Sequence, residues 1–362
     1  MVRNALLITL LLLAFTVLLL AGCGCRGSAE KGEAGRAAEE QKPALPSHTV
    51  HVFCYHGVQP ETSNFYFNTS ADFEEQMRIL ADEGYQSITC KQLADYLAGE
   101  EDIPDKSVVI SFDDGNLCVY ENAVPIMEKY GFKATLFIIT DSVGGKNHLS
   151  WQQVEELHGK GYEIGSHTSS HANLVKRGED TAEEHQASIV AEVTASKAQI
   201  EEVIGEAVIA LAYPYGTYED GVISAVREAG YRMAFSIDRG AIDENSNPWR
   251  LPRQMVVKGN SVKTFKRWLS QEPLHLASLS PRIGEVVTDH DLKIHARLLD
   301  DDVDPAALSV TVEPGKKTDQ TANEETNELS ISVTLDNGAN NIRIQHQGSP
   351  PRERSWVVVC RP

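Results

Sequence analysis

The chain has 362 residues and a formal net charge of −19. That length allows more than one domain and a substantial core, and the acidic balance argues against nucleic acid as a partner. Six cysteines without any C-x-x-C spacing argue against a cysteine-built metal site.

The first residues, "MVRN", carry one Arg, and Ala5 to Ala21 is almost wholly apolar. This order of features reads as a secretory signal, with a membrane-spanning anchor as the competing reading. The run ends in "LAGC", Leu20 to Cys23, which resembles the lipobox of bacterial lipoproteins. The resemblance implies a signal peptide over residues 1–22, cleavage before Cys23 and a lipid anchor on that cysteine. The expected location is then the cell envelope, on a membrane and facing outside the cytoplasm. Residues 23–46 are small, charged and Pro-containing, and read as a flexible tether.

Strand and helix patterns alternate from there on. "HTVHVFCYHGV" is a strand pattern, and "SADFEEQMRILADEG" a helix with Ser70 as N-cap and Gly84 as C-cap candidates. "YQSITC", "SVVISF", "KATLFII", "YEIGSH", "AVIALAYP" and "YRMAFSID" read as strands. Helical patterns separate them, the longest running from Thr181 to a stop at Gly205. This alternation predicts parallel strands in a barrel or open sheet over residues 47–279. Beyond residue 280 the period changes to two, with turn signals and no helical stretch. Residues 280–362 are therefore expected to form a small all-β, sandwich-like domain. Of the four remaining cysteines, Cys54, Cys90, Cys118 and Cys360, buried free thiols are the expectation, although the compartment permits disulfides.

Three stretches at strand ends carry candidate chemistry. "SFDDG", Ser111 to Gly115, places two carboxylates side by side where a strand stops. A turn would explain Asp and Gly there; so would a site at the carboxyl end of a parallel strand. "GSHTSSH" puts His167 and His171 four residues apart, so that one helical turn would bring both to one face. A carboxylate and two imidazoles together would make a three-ligand site with positions left open, as hydrolytic metals need. A neighbouring carboxylate would take the proton from water, giving two adjacent Asp different tasks. "LAYPYG" follows a third strand; alone it is an ordinary loop, although its aromatic rings suit sugar faces.

Together these motifs resemble the polysaccharide deacetylases of the NodB-homology type, carbohydrate esterase family 4. "SFDDG", "HTSSH" and "YPYG" stand in the family's order, and the likeness spans about residues 50–270. The resemblance implies a distorted (β/α) barrel, a divalent metal, usually zinc, and hydrolysis of acetyl groups on a glycan polymer. It assigns Asp113 as general base, Asp114, His167 and His171 as metal ligands, and the backbone N–H of Tyr215 as oxyanion donor. Ala212 stands where many members carry an Arg that orients the catalytic Asp, and Asp238 lies near the place of that Arg's helper. The general acid is left open between His275 in "EPLHL" and His56 in "CYHGV". "YHGV", "AYPYG" and "NPWRLPRQMV" look like the poly-N-acetylglucosamine deacetylase branch. Peptidoglycan is the runner-up substrate. A catalytically dead glycan-binding lipoprotein, and a hydrolase of small amides, are the other readings weighed.

Overall fold

A computed structural model describes residues 45–361 except 177, 179 and 314–317. The expected signal peptide, Cys23 and all of the tether but its last two residues lie outside the described residues.

The strands that build the first layer are β1 (His51–Tyr55), β2 (Ser107–Phe112), β3 (Thr135–Ile138), β4 (Glu163–Ser166), β5 (Ala210–Ala212), β6 (Met233–Phe235) and β7 (Gln254–Met255). All pair in parallel in the order β7-β1-β2-β3-β4-β5-β6, with Gln86–Ser87 added beside β2. The sheet curls until β6 meets the segment just ahead of β7 through one parallel bridge, Phe235 to Leu251. This is the distorted (β/α) barrel expected from the sequence. Because the strands are covered on both faces, β1 and β2 are buried at every residue rather than alternating. Val52, Val109, Phe137, Ala210, Ala212 and Phe235 fill the lumen, while Phe53, Ile110, Leu136, Ile164 and Leu211 face the surrounding helices.

The helices are α1 (Ser70–Asp82), α2 (Cys90–Leu97), α3 (Val124–Tyr130), α4 (Trp151–Gly159), α5 (Ala182–Ile204), α6 (Asp220–Glu228) and α7 (Val262–Leu269). Gly205 ends α5 in a left-handed conformation, φ 70°, as its sequence predicts. The cap of α1 corrects the sequence reading by one residue. Thr69, extended at φ −72°, accepts the Asp72 amide at 3.1 Å, and Ser70 is already helical.

The C-terminal region forms two further sheets. One runs β8 (Leu276–Ser280), β9 (Asp291–Leu298), then β12 and β11; the other contains β10 (Leu308–Glu313), β13 and β14. Here β11 is Asp319–Asn323, β12 Glu328–Thr334, β13 Gly338–His346 and β14 Arg352–Cys360. Ile294, Leu298, Ile331, Ile342, Ile344 and Trp356 form their common core. Strand β14 departs from the expected alternation, because residues Ser355 to Cys360 are all buried. Trp356, Val358 and Cys360 point into the β core, whereas Val357 and Val359 join the core of the barrel. One strand thus serves two cores. Cys54, Cys90 and Cys118 are buried free thiols, and Cys360 is buried as well.

Polar contacts reinforce this join. Gly240 bridges Arg354, Arg361 pairs with Glu219 at 2.7 Å, and Gln271 donates to Glu353 at 2.9 Å. His275 lies in the same join and corrects its candidacy as general acid. Its Nδ1 meets Asp300 at 2.7 Å and its Nε2 meets Asp243 at 2.6 Å. With both ring nitrogens held by carboxylates, its pKa is pushed up to about 10, so it holds its proton rather than giving it away.

This pairing makes a signed prediction. A pKa raised on folding stabilises fully below the unfolded value near 6.5, and the benefit is lost as pH rises through about 10. Denaturant midpoints measured from pH 6 to pH 10 should therefore fall more steeply for the wild type than for His275→Gln. Parallel pH curves for the two proteins would contradict the pairing.

Candidate active site

The mouth of the barrel collects the chemistry-bearing side chains. Asp113 follows β2 directly, and its amide donates to Tyr55 O at 2.9 Å, so the carboxylate continues the inward side of the strand. It is 2 % exposed. A carboxylate this deep must be paired. Arg253, fully buried just ahead of β7, grips it with two parallel bonds, Nη1 to Oδ1 at 2.7 Å and Nη2 to Oδ2 at 2.8 Å. The guanidinium is itself fixed by Nε donating to Ser236 O at 2.9 Å and lies 5.4 Å over the Phe137 ring. Burial raises the Asp113 pKa, but the Arg253 charge and hydrogen bonds, together with His167 and His56, outweigh it and hold the carboxyl well below the usual carboxylate range. Cys54 donates its thiol to Asp113 Oδ2 at 3.3 Å; burial pushes that thiol's pKa up, so it stays a neutral donor.

Asp114 turns away from its neighbour because its backbone is left-handed, φ 72°, followed by Gly115 at φ 73°. A Cβ on Gly115 would lie 3.1 Å from Ile138, in addition to the backbone cost. The two histidines come together by a different route from the expected helical turn. After β4 the chain forms a loop with left-handed Thr168 (φ 66°) and His171 (φ 61°). Ser170 ties that loop to α5 through Glu192, its amide at 2.9 Å and its hydroxyl at 2.6 Å. The imidazole centroids end 4.7 Å apart. Four of the six non-glycine residues with positive φ among the described residues, Asp114, Thr168, His171 and Tyr215, belong to this mouth. Each costs on the order of 1 kcal/mol, a concentration of strain typical of functional sites.

The ligand atoms of Asp114, His167 and His171 all lie within 4.8 Å of one another. His167 Nδ1 is 2.8 Å from Ala212 O. A carbonyl accepts only, so Nδ1 carries the proton and Nε2 keeps its lone pair toward Asp114, 3.7 Å away. Burial lowers the His167 pKa and favours the neutral ring. Two imidazoles and a carboxylate in this protonation state fit a divalent cation. Tyr215, left-handed at φ 59°, sets its ring 4.6 Å from that of His171 and is 57 % exposed. His56 joins Cys54 and Asp113 in a second close group, its Nδ1 buried without a hydrogen-bond partner among the described residues.

The structure therefore brings together Asp113, Asp114, His167, His171, Tyr215 and His56. It sets Asp238 to another task. That carboxylate accepts from Tyr218 at 2.6 Å and from Asn341 at 3.3 Å, while only its main-chain oxygen meets Arg253, through the Arg253 amide at 2.9 Å. Burial pushes the Asp238 pKa up to about 6. The residue the sequence reading missed is Arg253. Its signal was an Arg inside an apolar strand pattern, "RLPRQMV", since buried arginines require a partner.

The site is a hydrolytic one by its donor set and its adjacent ionised carboxylate. The polysaccharide deacetylase family model matches residues 100–234. The Bacillus subtilis protein YxkH, classed with the polysaccharide deacetylases, is 31 % identical over 230 residues, 63 % of this chain and 77 % of that one. The poly-β-1,6-N-acetyl-D-glucosamine N-deacetylase of Staphylococcus aureus is 30 % identical over 210 residues, 56 % of this chain and 72 % of its own. Among solved structures, IcaB from Ammonifex degensii superposes with a TM-score of 0.56 at 26 % identity, covering 62 % of this chain and 99 % of that chain. The chain belongs to the polysaccharide deacetylase family, hydrolases of N-acetyl groups.

Removing one partner of the buried Arg253–Asp113 pair should be severe. Arg253→Ala is expected to cost about 3–5 kcal/mol of unfolding free energy, read from denaturant curves. Arg253→Lys keeps a charge but not the fork, and should fold while losing about 100-fold or more in kcat. Near-normal turnover in Arg253→Lys would show that the two-pronged grip is dispensable.

Proposed function

We propose that this protein is a metal-dependent, membrane-anchored deacetylase of an amino-sugar polysaccharide in the cell envelope, with poly-β-1,6-N-acetylglucosamine as the favoured substrate. The observation that carries the catalytic part is the meeting of Asp114, His167 and His171 beside an Asp113 locked by Arg253. A glycan binder has no use for a buried carboxylate kept ionised at that point. The polymer is suggested by the name of the Staphylococcus aureus protein. The anchor rests on the sequence around Cys23 alone.

Asp114, His167 and His171 would hold the cation, zinc in this reading, which supplies Lewis acidity and an easily ionised water. Asp113 is ionised before substrate arrives and accepts the proton of the attacking water. Arg253 and Cys54 hold its two oxygens so that the free lone pairs face the mouth. The amide of Tyr215 would donate to the acetyl oxygen as it gains charge, and its exposed ring offers a face to the sugar. In this reading His56 would protonate the leaving amine, a role supported by its closeness to Asp113 and its unpartnered ring nitrogen among the described residues.

Acetate release from poly-N-acetylglucosamine and from peptidoglycan, assayed in parallel with and without chelator, tests the reading. Activity should vanish with chelator and return with zinc. Asp113→Asn should lose turnover yet retain bound metal by elemental analysis, whereas His167→Ala should lose both. Chelator-resistant release, or an active Asp113→Asn, would refute the mechanism.

The role of His56 has its own signature. His56→Ala should slow amide hydrolysis by about 100-fold or more, yet spare an aryl acetate, whose leaving group needs no proton. Equal losses on both substrates would assign His56 to binding instead.

A further inference from the structure

A groove of about 760 Å³ runs along the join between the barrel and the C-terminal sheets. That volume is within the range of built ligand sites. It shares Tyr215 with the catalytic mouth, and Phe65, 60 % exposed, is another of its aromatic walls. Its base is a buried chain of amides and charges that crosses from one layer to the other. Gln254 donates to Gln271 at 2.9 Å, Gln271 donates to Glu353 at 2.9 Å, and Arg343 closes on the other Glu353 oxygen. Gln254, Gln271 and Glu353 are each at most 4 % exposed. Fixed amides beside open aromatic faces suit the hydroxyl and acetamido groups of a sugar chain.

The charges of this groove run against those of the whole chain. Arg239, Lys263, Arg267 and Arg343 line it, against Glu313 and Glu353, in a protein whose net charge is −19. Glu353 is occupied by Arg343. Arg239 and Lys263 make no ion pair among the described residues. A neutral N-acetylated sugar meets no penalty there. A sugar that has lost its acetyl group carries an ammonium, and meets Arg239, Lys263 and Arg267 against Glu313 as the one lining carboxylate not held in an ion pair among the described residues, a net excess of two positive charges.

We infer that the groove between the barrel and the C-terminal sheets is a second binding site for the glycan, selective for stretches that are still acetylated over stretches bearing free amines. The inference rests on the deacetylase reading above, and it gives β13 and β14 a direct part in choosing which segment is held. As the chain is processed, the groove loses its grip on the product and favours exchange for untreated polymer.

Calorimetric titration of the full chain carrying Asp113→Asn, which prevents turnover, reads the selectivity. The probes are β-1,6-linked N-acetylglucosamine oligosaccharides and their fully de-N-acetylated counterparts, at about pH 6, where such amines are protonated. The acetylated probe should bind about tenfold tighter or more, and adding Arg239→Glu with Lys263→Glu should cut that ratio by about tenfold. The same pair of changes in the chain with Asp113 intact should leave aryl acetate hydrolysis and Tm unaltered. If the double variant does not fold, Arg239→Gln with Lys263→Gln should still narrow the ratio. Equal affinity for the two probes, or a ratio indifferent to these substitutions, overturns the proposal. So does tighter binding of a uronate-bearing oligosaccharide, which would make the groove a site for acidic glycans. Failure of the intact enzyme to release acetate from any glycan would instead defeat the deacetylase reading, and the binding ratios would still decide the groove.

Discussion

The mouth of this barrel depends on one buried ion pair. Arg253 and Asp113 are both removed from water, which is costly for either charge alone. The cost is offset because each of the three guanidinium nitrogens has a target: Nη1 and Nη2 the two carboxylate oxygens, and Nε the Ser236 carbonyl. The pair fixes more than protonation. Asp113 is the residue before Asp114, so locking one carboxylate inward sends the next, through its left-handed backbone, toward His167 and His171. Ala212 completes the arrangement from β5, its carbonyl choosing the tautomer of His167. The position that many relatives give to an orienting Arg has a main-chain task here, and the guanidinium enters from the strand that closes the barrel.

That closing region is also where the C-terminal sheets attach. Strand β6 meets Leu251, just ahead of β7, through a single bridge rather than a full ladder. The segment between them supplies Asp238, Arg239, Gly240 and Asp243, and each has a contact with, or a place beside, the C-terminal layers. Val357 and Val359 enter the barrel's own core; burying two such side chains contributes about 1.5–3 kcal/mol each. The weakest part of the barrel ladder is thereby braced from outside.

How much of this could be read from the sequence depends on how local each feature is. The parallel alternation and the long α5 follow from periodicity and caps within a few residues, and both appear as expected. The candidate residues Asp113, Asp114, His167 and His171 were legible because each sits in a short motif at a strand end. The manner of their meeting was not. His167 and His171 converge through left-handed backbone at Thr168 and His171, which residue spacing alone does not reveal. Arg253 was out of reach for a further reason: its partner is 140 residues away in the chain. His275 misled for the same reason, since only the fold shows Asp243 and Asp300 on either side of it. Period two is the expectation along β14, yet the run Ser355 to Cys360 is buried continuously, which signals a strand with no solvent side at all.

Strand β14 also bears on how such a chain could have been assembled. A module joined by a linker can be exchanged for another without disturbing its host. Here, alternate residues of one strand belong to different interiors, so the last stretch of the polypeptide completes a structure begun some three hundred residues earlier. Replacement of the C-terminal sheets by any other appendage would have to reproduce that strand's alternating fit, and inheritance of the two parts as a unit follows from this shared packing.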